Sequence, residues 1–345
     1  PILGVPRSLL RLVNGPGNEF RTFFITQYDL AAWQVALEFG LFGHALLNGK
    51  IDRAVLAAKA GMDADLCGRI SKHLATQNVF NQIELDVFEH SAASALVAKD
   101  SGIEALIIGQ VDEMFRAASE ASACVQNSPF ESNSFNSPFA TRQGKPVYSW
   151  YGDNPEKGIR FAKGMAGVAQ MDRPISTLRD DFAWAKLEAS GKVVDIGGGS
   201  GHVALHLASH FPGLNFVRVT FQQHDFFSEQ PITDASAFFL RQGLHNRNDA
   251  DCVKIIRALV PALEKCKPGT PLLINDEVLP ALNRVPKYKE HSLRHYDMCM
   301  VVIFGSKQRT EKEFEKLLKE ADSRFEVVKV HGTNDMGLVE AHLKH

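Results

Sequence analysis

Apolar residues recur at three- and four-residue steps through the first third of the chain, then give way to short β-branched runs beyond residue 190. TQYDLAAWQVALEFGLFGHALLNG (26–49) carries the helical period and ends on Gly49, a residue type that closes helices. KIDRAVLAAKAG and DADLCGRISKHLATQNVF follow, the second with Asp63 or Asp65 placed to cap it. VFNQIELDVFEHSAAS then predicts a short hairpin feeding another helix, and a further helix is expected over 103–125. Helix–helix–helix–hairpin is the winged-helix order. Its second-position helix offers only Arg69, Lys72 and His73 to a nucleic acid, so packing against a second subunit is the expected use. Residues 126–155, rich in Asn, Ser and Pro and then aromatic, read as a connector.

Two helical segments are expected between 156 and 190. Strand and helix patterns then alternate: VVDIG, HVALHLASHF, LNFV, VTFQQHDF, ASAFFLRQ, a helix over 249–264, TPLLINDEVL and a helix near 310–321. That alternation predicts an α/β domain with a parallel, doubly wound sheet. The last two strands, FEVVKVH and MGLVEAHL, are joined by the short GTND turn and should pair antiparallel at one edge. The division expected is a helical, winged-helix-like domain over 1–150 and an α/β domain over 151–345. One junction breaks the rule: LNFV, ending at Val217, runs directly into Arg218 and the next strand. Parallel neighbours need a crossover of about a dozen residues, so a segment is expected to be missing between Val217 and Arg218.

At 345 residues the chain has room for two cores, and 45% hydrophobic with 23% charged residues is ordinary for a globular protein. A net charge of −2 gives no pull toward nucleic acid or an anionic membrane. Five scattered cysteines (Cys67, Cys124, Cys252, Cys266, Cys299) contain no C-x-x-C pair. They suit a reducing, cytoplasmic compartment and argue against a structural metal. No apolar run is long enough to span a membrane. PILGVPRSLL, at the start, reads as a clipped boundary rather than a signal peptide.

The chemistry concentrates in VVDIGGGSGH (193–202), where a strand runs into Gly197, Gly199 and Gly201 and then a helix. Glycines permit a tight turn and let backbone N–H groups approach a ligand closely. The Asp195-x-Gly-x-Gly-x-Gly spacing departs from the dinucleotide fingerprint and points to S-adenosylmethionine (SAM) instead of NAD.

With HDFF, FFLRQGLHN, INDEVLP and KQRTEKEF following in that order, nearly the whole chain resembles the caffeic-acid type of small-molecule O-methyltransferase, in its fungal secondary-metabolism branch. The resemblance implies a C-terminal Rossmann-like domain holding SAM or its product S-adenosylhomocysteine, and an N-terminal part that forms a homodimer. It places Gly197, Gly199 and Gly201 under the methionine and ribose, and has Asp195 accept from the amino group or orient the loop. Asp225 and Phe226 fall at the adenine, and Arg241 stands near the amino-acid end in place of the family's Lys. His245 matches the catalytic base and Asp276 the acid that orients it. A phenol, with pKa about 10, needs such a base as attack begins. Phe161, Met165, Met171, Met298 and Met300 suggest an apolar pocket for a hydrophobic metabolite, with Gln308 beside them.

Two departures bear on the reaction. Arg247 stands where the family carries Trp, and Gln308 replaces a Glu, leaving Asp276 as the one carboxylate for the base. Arg247, a fixed cation with a fork of donors, suits an oxyanion. Some fungal members keep SAM yet catalyse dehydration and pericyclic ring closure, so both methyl transfer and SAM-assisted pericyclic chemistry are open. A non-catalytic SAM-fold scaffold is the third class.

Overall fold

The computed structural model describes residues 4–171, 175–187, 191–199, 201–214, 224–332 and 336–344. The chain opens with helices α1 (Gly4–Ile25), α2 (Gln27–Glu38) and α3 (Leu41–His44). The helix expected over 26–49 is thus interrupted: Gly40 takes φ 62°, a left-handed turn that no helix carries through. The helical reading of KIDRAVLAAKAG holds from Arg53 on, its first three residues forming strand β1 (Lys50–Asp52) instead; α4 (Arg53–Ala60), α5 (Ala64–Thr76), the hairpin β2 (Phe80–Glu84) and β3 (Val87–His90), and α6 (Ala92–Lys99) follow as expected. Asp63, rather than Asp65, caps α5 by accepting the Leu66 N–H at 2.9 Å. The three strands form a small sheet in the order β1-β3-β2. Lys72 is held by Asp86 at 2.6 Å and His73 by Asp29 at 2.9 Å.

The expected helix over 103–125 is three pieces: α7 (Ser101–Gly109), which passes through a π-helical turn at Gln110–Met114 into α8 (Phe115–Ala118), and α9 (Ala121–Asn127). The connector also contains helices, α10 (Pro138–Gln143) and α11 (Val147–Asp153), before α12 (Pro155–Met171). Ser137 caps α10 and Pro138 sits at its first turn.

Two compact units result, and they do not follow one cut in the chain. Residues 1–119 and 148–171 form the first, residues 120–147 and 172–345 the second. α12 belongs to the first because it lies against α7 almost backbone to backbone: a Cβ on Gly167 would come within 2.9 Å of the Gly102 carbonyl carbon. The π-helical turn adds the buried Glu113, which pairs with Arg160 of α12, while Asp112 takes Lys157 at 3.1 Å. In the first unit the core gathers Leu41, Phe42, Leu56, Phe80 and Phe88.

The second unit continues with α13 (Ile175–Asp181), β4 (Val193–Ile196), α14 (His202–His210), β5 (Ala237–Arg241) and α15 (Asp249–Lys265). Then come β6 (Pro271–Leu279), α16 (Lys287–Phe304), β7 (Arg309–Thr310), α17 (Glu311–Ala321), β8 (Phe325–His331) and β9 (Met336–Leu343). The sheet order among the described residues is β4-β5-β6-β9-β8, with β7 beside β6. β4, β5 and β6 run parallel, whereas β9 and β8 are antiparallel, as the short final turn requires. Phe238 and Leu240 enter the core shared with α15 and α17; Ala237 and Phe239 enter a second core with Leu207 and Trp184. Both faces of the sheet are therefore covered, which is why these strands are continuously apolar. The junction at Val217 and Arg218, and the strand expected at LNFV beyond Leu214, fall within 215–223, outside the described residues. The end of VTFQQHDF is not strand, because His224–Phe226 leads into a turn.

Candidate active site

Parallel pairing aligns the carboxyl ends of three strands. Ile196 is opposite Leu240, and Arg241 opposite Asn275, so Asp195, Arg241 and Asp276 all emerge at one end of the sheet. Ligands of open α/β sheets bind in that position. After β4 the chain turns at Gly197 (φ 71°), Gly199 (φ 57°) and Gly201 (φ 71°), three left-handed residues leading to the start of α14. A Cβ at Gly197 or Gly199 would meet nothing within 4 Å, so both face open space. At Gly198 the reverse holds: a Cβ would sit 2.4 Å from Asp195 Oδ2. The carboxylate therefore lies across the turn, and only glycine leaves room for it.

Burial pushes the Asp195 carboxyl up to about 6, partly opposed by the Arg241 cation. Arg241 donates to Asn275 Oδ1, and Asn275 Nδ2 donates to the Gly337 carbonyl at 2.9 Å. This relay joins β5, β6 and β9. The cradle fits SAM: a half-buried carboxylate for its ammonium, a cation for its carboxylate, and an open glycine turn at the helix start.

Asp225 is exposed and shapes a turn, its Oδ1 accepting the Phe227 N–H at 3.1 Å. Phe226 packs on the sheet core, and the Arg247 guanidinium carbon lies 5.8 Å from its ring centroid. A cation over a ring face is attractive. Arg247 thus adjoins the residue that the resemblance assigns to adenine.

β5 is followed by Gln242 at φ 50°, a strained conformation for a side chain of that size. This turn delivers His245, which is buried with 9% exposure. His245 Nδ1 lies 2.9 Å from Oδ1 of Asp276, itself 1% exposed. The ring nitrogen is not aimed along that line, so the pair stands at ion-pair distance without an aligned hydrogen bond.

The remaining candidates are spread over both units. In the first unit Phe161 stacks on Tyr151 with ring centroids 4.9 Å apart, and Met165 is exposed. Met171 ends α12, and its side chain lies outside the described residues. In the second unit Met298 is exposed and Met300 buried. Two residues apart on one helix, they point to opposite faces and do not line one surface together. Gln308 is buried with no hydrogen bond to its Oε1, and its N–H donates to Asp297 Oδ1 at 2.9 Å. Among the described residues no group of three or more His, Cys, Asp or Glu is arranged around a metal position. No helix there is long and apolar enough to cross a membrane.

Sequence reading passed over Gly198, Asn275, Ser306 and Arg309. A signal existed only for the last, in KQRTEKEF, where Thr310 and Glu313 spell out a capping box beside it.

Comparison with known proteins agrees with this geometry. Residues 215–324 match the O-methyltransferase domain family model. The O-methyltransferase sol2 of Alternaria solani is 45% identical over 358 aligned positions, covering 97% of this chain and 82% of that protein. Among solved structures, OxaC in complex with sinefungin and meleagrin superposes with a TM-score of 0.82 at 19% identity, over 98% of this chain and 91% of that one. A pericyclic reaction enzyme superposes with a TM-score of 0.78 at 18% identity, over 99% and 92%. At those identities the structures show a shared fold alone. The extended identity to sol2, on a chain with this glycine turn and His–Asp pair, places the protein in the family of SAM-dependent O-methyltransferases.

Proposed function

We propose that this enzyme methylates a hydroxyl of a small hydrophobic secondary metabolite, with His245 as general base and Asp276 as its orienting carboxylate. The observation that carries the reading is the 2.9 Å approach of His245 Nδ1 to the buried Asp276 Oδ1 at the carboxyl end of the sheet. In the tautomer protonated on Nδ1, the nitrogen nearest the carboxylate, Nε2 is the acceptor for the substrate hydroxyl proton. The carboxylate then steadies the imidazolium that forms. SAM, when bound, supplies a methyl group already activated on a sulfonium. Asp195 would hold its ammonium, Arg241 its carboxylate, Asp225 and Phe226 its adenine, with Gly197, Gly199 and Gly201 beneath. What remains for the protein is alignment and exclusion of water. Met298, exposed on α16, and the buried Gln308 are the proposed substrate contacts of this unit.

The position of Arg247 favours methyl transfer over pericyclic chemistry. Its guanidinium lies over Phe226, on the adenine side of the proposed cofactor position. The apolar side chains exposed on α1 and α2, Phe20, Phe23, Phe24 and Tyr28, suit an isologous contact with a second copy of the chain. Light scattering at low micromolar concentration checks that dimer, and a clean monomer removes it. Incubation with SAM and candidate phenols, enols and polyketide alcohols, followed by mass, tests the reaction. A gain of 14 mass units, the weight of one methylene, is expected; a loss of 18, the weight of water, without methylation would establish the pericyclic reading instead.

A further inference from the structure

We infer that Arg309 and Ser306 are positioning residues that hold the loop carrying His245; the inference rests on His245 being the base. Between β5 and α15, residues 242–248 form no helix or strand, yet Leu244 and His245 are buried. Buried carbonyls without a ladder need donors from elsewhere. The Leu244 carbonyl accepts the Arg247 N–H at 3.1 Å, and further donors come from one short segment some 60 residues away. Ser306 Oγ donates to the His245 carbonyl at 2.5 Å. Arg309 Nη1 donates to the Leu244 carbonyl at 3.0 Å, and Nη2 to the Arg247 carbonyl at 2.8 Å. The carbonyls of Leu244, His245 and Arg247 are all engaged.

The clamp is charge-balanced and anchored. Arg309 is 1% exposed, and its Nε and Nη2 both reach Asp249 Oδ1, at 3.0 and 2.8 Å. Burial would raise the Asp249 carboxyl, but hydrogen bonds from Lys307 and Arg309 hold it below the usual carboxylate range. Asp249 opens α15, so the same ion pair fixes where the loop ends. β7 pairs with β6 through Val278 opposite Arg309, two residues beyond Asp276. One strand therefore presents the orienting carboxylate and also seats the arginine that fixes the base. The separation of His245 from Asp276 is tied to this shared anchor as well as to the loop's own bonds, from the Arg247 N–H to the Leu244 carbonyl and from Asn246 Nδ2 to the Gln242 carbonyl. A displacement of about 1 Å in such a pair can cost about a hundredfold in rate.

The experiment compares Arg309→Lys, Ser306→Ala and His245→Ala in the full chain, measuring kcat, KM, SAM affinity and far-UV circular dichroism. Lysine keeps the charge but lacks the fork that spans two carbonyls and a carboxylate. Arg309→Lys is expected to lower kcat about a hundredfold and Ser306→Ala about tenfold, with KM and SAM Kd within about threefold of the parent. Should Arg309→Lys fail to fold, Ser306→Ala carries the test alone. If His245→Ala abolishes turnover while the folded positioning variants keep kcat within twofold, or lose KM instead of kcat, the clamp is overturned and the base stands. If His245→Ala is itself silent, the reading of His245 as base is overturned.

Discussion

The glycine turn after β4 and the loop after β5 sit at the same end of the same sheet and are built in opposite ways. The turn has three left-handed glycines, open space above two of them, and a half-buried Asp195 whose carboxyl is pushed up to about 6. The loop has its carbonyls taken by Ser306 and Arg309 and its end fixed by Asp249. One region is left for a ligand to complete; the other is finished beforehand. A methyl donor brings its own ammonium, carboxylate and ring, so its site can stay open until binding. A general base gains nothing from mobility, because proton transfer depends on geometry already in place.

Breaking the finished side should have the largest effect. His245→Ala is expected to lower the methylation rate by at least about a hundredfold with little change in SAM affinity. A loss of affinity with intact turnover would reverse the assignment of the two regions. On the open side, Gly198→Ala forces a methyl group against the Asp195 carboxylate, 2.4 Å from the nearest oxygen. Weaker SAM binding, by about tenfold or more, is the expected result by calorimetry, with kcat at saturation largely kept.

The Asp195 carboxyl also predicts a pH dependence of binding. Its folded value of about 6 stands above the usual 3.8, so the free protein holds this proton more tightly than the unfolded chain does. Its stability should therefore decline as pH rises from about 4 to about 6. An ammonium partner needs the ionised carboxylate, so SAM affinity should rise through about pH 6 and level off above it. The expected gain from pH 5 to pH 7 is about tenfold, with a proton released on binding below pH 6. Flat affinity across that range would show that Asp195 does not meet the ammonium. A smaller effect is expected at Asp225, which is exposed. Asp225→Ala should weaken SAM about five- to tenfold, at the low end for a lost hydrogen bond. Unchanged affinity would remove it from the adenine side.

The sequence revealed these two regions unequally. Gly197, Gly199 and Gly201 were legible because backbone conformation at a turn is written in local residue type. His245 and Asp276 emerged from ordered motifs, and the structure brings them within 2.9 Å. Arg309 was not legible, since its partners Leu244, Arg247 and Asp249 lie about 60 residues earlier in the chain. In the helical part, the periodicity of 26–49 and 103–125 was read correctly as helix but too continuously. Apolar spacing persists across Gly40 and across the π-helical turn at Gln110–Met114, so period alone does not mark the breaks. Ser137, Pro138 and Gly144 are start and stop signals for α10, hidden by the Asn- and Ser-rich residues around a helix of only six residues.

Hydrogen exchange with and without SAM tests the division between the two regions most directly, because it needs no identified substrate. Amides of 197–199 should exchange fast in the free protein and become protected on binding. The Arg247 amide, bonded to the Leu244 carbonyl at 3.1 Å inside the loop that Arg309 and Ser306 clamp, should be slow in both states and change by less than about threefold. A base loop that exchanges freely until SAM binds, beside a glycine turn that is slow throughout, would contradict the account.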